Sequence, residues 1–281
     1  MSDPAPADPK YRREPRVAAV PCPLCGGRDA RPHWVGRDRL TGVPGTFSVV
    51  SCAACGFLYL SPRPIPEDLH LCYPADYHAY HPAPAEGHKL LRGGGLRADA
   101  HRLVLANELG YPAMRPERAG IAVRLLAALR APRVRKLVFP MRGKGRMLDV
   151  GCSTGARMAS CAQLGWRVSG IENSPEAAAE ARRGGAEVFV GDLLDANYPP
   201  RGFELVTCFH VLEHVLDPRR AMRTMIDWLS DEGTLVVELP NAAGLGARTF
   251  GTHWFLLDVP RHLHHFTPRT LARLVEESGA R

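Results

Sequence analysis

From Arg146 onward, short apolar runs alternate with stretches that carry helix-start and helix-stop residues. Met147-Leu148-Asp149-Val150 reads as a short buried strand and Trp166–Ile171 as a second; Glu187–Val190, Phe203–Cys208 and Thr234–Leu239 supply three more. Helices begin at Ser174-Pro175, Asp217-Pro218 and Thr267-Pro268, each a polar cap followed by proline at the first helical position. Gly165 and Gly184-Gly185 end helices, because glycine accepts the left-handed backbone of a helix stop. Five strands with interleaved helices predict a doubly wound α/β sheet.

The first half is patterned differently. Ile121, Leu125 and Leu129 give a helix over 117–130 one apolar face, expected to pack on the C-terminal domain, with Pro132 closing it. Residues 61–116 are dense in proline, histidine and tyrosine, as in Ser61-Pro-Arg-Pro-Ile-Pro and Tyr77-His-Ala-Tyr-His81, and read as a connector with one short helix near Glu67. Ahead of it stand two matched pairs, Cys22-Pro-Leu-Cys25-Gly26 and Cys52-Ala-Ala-Cys55-Gly56. Two residues between cysteines let both thiolates turn toward one ion, and the glycine permits a tight turn whose amides reach the sulfurs. All-thiolate donors suit Zn²⁺, and four protein ligands leave no open position, so the role expected is structural. The intervening residues Trp34, Val35, Phe47, Val49 and Val50 supply strands, which makes 21–60 a zinc ribbon. Disulfides or a redox pair are the alternatives; neither suits two matched turns in a chain with no secretion signal. Cys72, Cys152, Cys161 and Cys208 are dispersed and read as small buried residues.

Composition narrows the class. The chain has 281 residues, 45% hydrophobic and 23% charged, with no apolar run near the roughly 18 residues of a membrane span. Residues 1–20 read as a disordered tail with no signal-peptide core, and the cytoplasm is the expected compartment. The net charge of +7 is uneven: residues 1–145 hold 22 Lys/Arg against 12 Asp/Glu, and the remainder hold 14 against 17. Arg130, Arg133, Arg135, Lys136, Arg142, Lys144 and Arg146 form a basic segment that would suit an anion or RNA, or simply a solvated face.

Chemistry enters at Leu148-Asp149-Val150-Gly151-Cys152-Ser153-Thr154-Gly155, where a strand gives way to a glycine-containing loop and then a helix. The stretch resembles the first motif of class I S-adenosylmethionine-dependent methyltransferases of the small-molecule type, which implies a Rossmann-like domain over 117–281 with its core at 143–281. The resemblance makes Asp149, Gly151, Cys152 and Gly155 cofactor-binding; Ser153 stands where the family more often has glycine. Glu172 lies 21 residues after Gly151 at the end of the second strand, where a carboxylate can accept from both ribose hydroxyls. Gly191-Asp192-Leu193 follows the third strand; the resemblance puts Asp192 and Leu193 beside the adenine and favours S-adenosylmethionine over NAD.

Phe209-His210-Val211-Leu212-Glu213-His214-Val215 is similar to the Val-Leu-Glu-His signature of quinone-biosynthesis methyltransferases. It implies that Phe209 and His210 border the cofactor while Glu213 and His214 face a small-molecule methyl acceptor. His214 is the expected base where the acceptor starts protonated. The later run Trp254…Pro260-Arg261-His262-Leu263-His264-His265-Phe266-Thr267 resembles a loop of a methyltransferase subgroup that carries an N-terminal zinc ribbon. It suggests a substrate lid in which Arg261 or His262 meets an anionic group.

The expected function is methyl transfer to an oxygen, nitrogen or carbon of a small molecule such as a sugar or phosphorylated metabolite. An RNA methyltransferase using the ribbon and basic segment is the first rival, although an Asn/Asp-Pro-Pro-aromatic motif is missing after the fourth strand. A non-enzymatic zinc-ribbon module is the second. The family usually adds a sixth and seventh strand as a hairpin, for which the sequence to Arg281 has no segment. Thr234–Leu239 is then expected as a hydrophobic edge strand open to pairing in an oligomer.

Overall fold

The computed structural model describes residues 13–73, 94–141 and 145–280. The chain forms two units, one of residues 1–78, 208–226 and 237–281, the other of 79–207 and 227–236. Tyr77–His81, Arg142, Lys144 and most of the expected tail lie outside the described residues.

The first unit begins with β1 (Val17–Ala18), β2 (Ala30–Gly36), β3 (Phe47–Cys52), β4 (Leu58–Leu60) and β5 (Arg63–Pro64), then a 3-10 turn at Pro66–Cys72 where a helix near Glu67 was expected. β1 pairs with β5, and β2, β3 and β4 form an antiparallel meander. Phe47, Val49, Leu58 and Leu60 point into one apolar cluster, the alternation of a sheet with one covered face.

The second unit contributes α1 (Leu96–Glu108), α2 (Ile121–Leu137), β6 (Arg146–Val150), α3 (Ala156–Ala162), β7 (Arg167–Glu172), α4 (Pro175–Arg183), β8 (Glu187–Val190) and β9 (Phe203–Phe209). The chain continues with α5 (Pro218–Asp227), β10 (Leu229–Glu238), α6 (Leu245–Phe250), β11 (His264–His265) and α7 (Pro268–Glu277). Five strands make one sheet in the order β10-β9-β6-β7-β8, with β6, β7 and β8 parallel. This is the expected Rossmann-like α/β sheet, and its order reverses between β6 and β9. β9 and β10 pass from the second unit into the first at their last two residues. β10 stands at an edge, beginning five residues earlier than its apolar run because Leu229–Gly233 continue the extended backbone.

Local signals account for the helix starts. The Ser174 side chain accepts from the Ala177 amide, and Thr267 forms a reciprocal cap with Thr270.

The helix after residue 117 corrects its expectation. It runs through Pro132 to Leu137, and Ile121, Leu125 and Leu129 are 80%, 68% and 79% exposed. Val123, Ala127, Ala131 and Val134 are buried instead, clustered with Ala100, Val104 and Leu105 of α1. Small alanines on that line let two helices approach closely, and α1 had no clear apolar period of its own. Pro132 is exposed and removes one backbone bond without ending the helix.

The expected lid is likewise corrected. His264 and His265 form β11, antiparallel to β4, so this stretch completes the ribbon sheet in the order β11-β4-β3-β2. Leu257, Val259 and Leu263 lie in the apolar cluster of that unit. Residues with this much buried area belong to a core and not to a closing flap.

Candidate functional site

In the second unit, three loops at the carboxyl ends of β6, β7 and β8 are tied together. The amides of Gly151 and Cys152 both donate to the Ile171 carbonyl, at 2.8 and 3.0 Å, and the Gly191 amide donates to the Glu172 carbonyl at 3.0 Å. Gly155 has φ +81°, and a Cβ there would lie 2.9 Å from that of Ala181 on α4, so only glycine lets α3 start at this point. Ser153 adopts φ +49°, a left-handed conformation that is unfavourable for a residue with a Cβ. Its amide is held by Glu172, which accepts from Ser153 at 2.8 Å and from Ser174 at 2.9 Å. Each carboxylate oxygen of Glu172 keeps a further acceptor direction, the geometry needed for a vicinal pair of hydroxyls. Asp192 is exposed, with Oδ1 accepting from the Leu194 amide at 2.8 Å, while Leu193 is buried. Gly151, Cys152, Gly155, Glu172, Asp192 and Leu193 are therefore brought into three hydrogen-bonded loops.

Asp149 departs from its expectation. It is 2% exposed, accepts from the Thr207 hydroxyl at 2.6 Å and lies 3.7 Å from Arg157 Nε. Burial pushes its carboxyl up to about 6 against the pull of Arg157 and Thr207. It braces β6 on β9 and acts on the loop by position. Cys152 is also buried, its thiol pushed up to about 12 by burial, so it contributes backbone and not a reactive sulfur.

In the first unit, Cys22, Cys25, Cys52 and Cys55 place their sulfurs within 4.8 Å of one another. The Cys22–Cys55 and Cys25–Cys52 distances are 3.6 and 3.5 Å, close to the edge of about 3.8 Å of a tetrahedron with Zn–S bonds of about 2.3 Å. The two turns are built alike: Gly26 and Gly56 have φ +77° and +73°, and their amides donate to the carbonyls of Cys22 and Cys52 at 2.8 and 2.9 Å. Donor set and geometry fit a thiolate-bound cation.

Phe209 ends β9, His210 follows it, and both belong to this unit. His210 has φ +56°, donates its amide to the Glu238 carbonyl, and leaves its ring half exposed, with Nδ1 3.5 Å from Glu213. Glu213 is 1% exposed. His214 Nδ1 is 3.1 Å from both the Tyr73 hydroxyl and the Arg261 carbonyl. Burial, reinforced by neighbouring His262, pushes the His214 ring down to about 4, so the expectation of a base poised near neutrality is corrected.

Arg261 and His262 are not presented to an anion. Arg261 is 0% exposed, and its guanidinium binds Asp38 at 2.7 and 2.9 Å, Asp258, the Thr41 hydroxyl and the Cys72 carbonyl. Burial alone would push both charges toward neutrality; instead Arg261 pulls Asp38 down to about 2, and Asp38 and Asp258 push the guanidinium up. His262 is 6% exposed, with Nε2 facing Asp258 and Glu213, the wrong sign for an anionic ligand. Tyr73, Asp38 and Asp258 were missed as site residues. Asp258 lies within the quoted loop motif, but only folding shows that its charge and that of Asp38 are directed at Arg261.

A parallel sheet with a glycine loop after its first strand, a carboxylate after the second and an Asx turn after the third defines an α/β domain for a nucleoside-containing cofactor. A family model described as a methyltransferase domain matches residues 122–281, and the chain belongs to that family. A ubiquinone biosynthesis O-methyltransferase of Xanthomonas euvesicatoria pv. vesicatoria is 32% identical over 149 residues, 48% of this chain and 62% of that protein. Its counterpart in Xanthomonas campestris pv. campestris is 33% identical over 132 residues, 43% of this chain and 54% of that protein. The chain thus spans between about half and three fifths of the curated relatives it matches. An S-adenosylmethionine-dependent methyltransferase of Mesorhizobium loti superposes with a TM-score of 0.43 at 25% identity, covering 53% of this chain and 80% of that one. No described helix is long and apolar enough to cross a membrane.

Proposed function

We propose that the chain transfers the methyl group of S-adenosylmethionine to a nucleophilic oxygen, nitrogen or carbon of a small molecule. The observation that carries this reading is the loop system of Gly151, Glu172 and Asp192 in a chain matching the methyltransferase family over 122–281. Glu172 takes the ribose hydroxyls, and Asp192 and Leu193 flank the adenine. The sulfonium is already a good leaving group, so the protein's task is alignment of nucleophile and methyl. Zn²⁺ on Cys22, Cys25, Cys52 and Cys55 has a structural role, since all four positions are filled by protein. The Xanthomonas relatives favour a hydroxyl acceptor.

Calorimetric titration with S-adenosylhomocysteine tests the reading. Micromolar binding that Glu172→Ala abolishes is the expected result; no binding by zinc-replete, folded protein overturns it.

A further inference from the structure

The face of α2 that the core leaves outside is apolar. Ile121, Leu125 and Leu129 are 80%, 68% and 79% exposed, three of the four most exposed large apolar side chains among the described residues. Steps of four residues turn an α-helix by only about 40°, so the three form one stripe, and exposed Ala122, Ala128 and Pro132 widen it. Val123, Ala127, Ala131 and Val134 fix the opposite side in a cluster with Met147, Trp166 and Leu205, so the helix cannot roll the stripe inward. Scattered apolar side chains at a surface are ordinary; a continuous row standing this far into water marks a contact surface.

The charges beside the stripe have one sign. Arg124 and Arg135 lie along one side of it and Arg133 along the other, all three exposed, and residues 121–137 contain no Asp or Glu. Arg135 is paired with Glu108 of α1 at 2.6 Å, and Arg124 donates to the Ala119 carbonyl at 3.1 Å, whereas Arg133 has no partner among the described residues. A second copy docked through a two-fold axis would set this surface against itself and bring arginine to arginine at both flanks. A partner that buries leucine and receives arginine on either side is apolar within and anionic at its surface. A bilayer with acidic headgroups has that section, acyl chains below and phosphates above. Exposure this high also puts the stripe on a ridge, which sinks into a fluid surface but offers no walls to grip a protein's side chains.

We infer that α2 seats the second unit on an anionic lipid surface, lying in the headgroup plane with Ile121, Leu125 and Leu129 directed into the acyl boundary and Arg124 and Arg133 at the phosphates. The stripe is about 12 Å long, two turns of helix, which suits attachment to one leaflet and not a span. Such attachment is reversible: three aliphatic side chains bury far less than a spanning helix, and salt screens the arginines. It is independent of methyl transfer, because none of these residues lies in the loops that carry Gly151, Glu172 and Asp192.

Vesicles of phosphatidylcholine with about one third phosphatidylglycerol are the probe, compared with phosphatidylcholine alone, and the full-length protein is followed by co-sedimentation. Wild type is expected on the anionic vesicles, with weaker binding to neutral ones and a difference that shrinks as salt rises. Leu125→Gln combined with Leu129→Gln keeps helix-forming side chains and lowers partitioning on the order of 100-fold. Arg133→Gln lowers it by about 5-fold on anionic vesicles and leaves neutral ones unaffected. Helical circular dichroism is unchanged in both variants, since the substituted side chains are exposed. No vesicle binding by folded wild type, equal binding to neutral vesicles, or undiminished binding by the double variant overturns the lipid contact. A wild-type dimer that the double variant splits, without vesicle binding, assigns the stripe to a second copy. Retention on an immobilised acidic amphipathic peptide, again without vesicle binding, assigns it to a protein partner. Either result overturns the lipid surface.

Discussion

The two units hold their functional loops by different physics. In the second, a parallel sheet and an apolar core of Met147, Leu205, Val134 and Trp166 fix strand ends, and the loops are set by backbone amides and one carboxylate, Glu172. In the first, the strands are short, and buried charge carries the structure: Arg261 between Asp38 and Asp258, and four cysteines drawn together. A site made from backbone tolerates side-chain change so long as glycine and hydrogen bonds stay. A site made from buried ions fails when one partner is removed, because the other is left uncompensated.

The largest test of this contrast is metal removal. Stripping the zinc proposed for the cysteine cluster with a strong chelator, or Cys52→Ser, is expected to make the first unit protease-sensitive, since structural zinc contributes on the order of 10 kcal/mol in small modules. Helical circular dichroism from the second unit survives; joint loss of both would show that the units do not fold by separate rules. Next, Arg261→Ala lowers unfolding free energy by roughly 3–5 kcal/mol in urea, as it strands two buried carboxylates. A loss within experimental error would show that the ion network is not what holds this unit.

A smaller effect separates Asp149 from those ion pairs. Its carboxyl is raised, so its contribution is complete below its ordinary value of 3.8 and is lost as pH rises through about 6. Compared with Asp149→Asn, the wild type therefore gains roughly 1 kcal/mol between pH 7 and pH 5. A constant difference across that range would mean that Asp149 stays ionised. The smallest change is Ser153→Gly, which relieves the left-handed backbone and raises stability by up to about 1 kcal/mol while keeping the amide bond to Glu172. A drop in melting temperature would show that the Ser153 side chain has a role of its own.

Legibility followed the range of the interactions. Ser174 and Thr267 announced their helices because a cap is settled within three residues. The cysteine knuckles were visible for the same reason, each closing on its own glycine. Gly151, Glu172 and Asp192 could be placed because each sits just beyond a strand whose apolar run is unambiguous. The face of α2 was misread, since Ile121, Leu125 and Leu129 offered the larger side chains while the covering helix α1 carried little apolar pattern. Arg261 read as a ligand for substrate because an arginine in a polar loop has no visible partner; Asp38 stands 223 residues away.

The sequence by itself determined the strand and helix order, the caps, the loop residues at the strand ends and the cysteine pairs, all set by spacing and backbone preference over a few positions. Tertiary structure alone decided that β11 joins the ribbon sheet, that Arg261 is sealed between two carboxylates, and that His262 turns its Nε2 atom toward Glu213 and Asp258. Those outcomes depend on burial and on charges brought together from distant parts of the chain, and neither exists until the chain has folded.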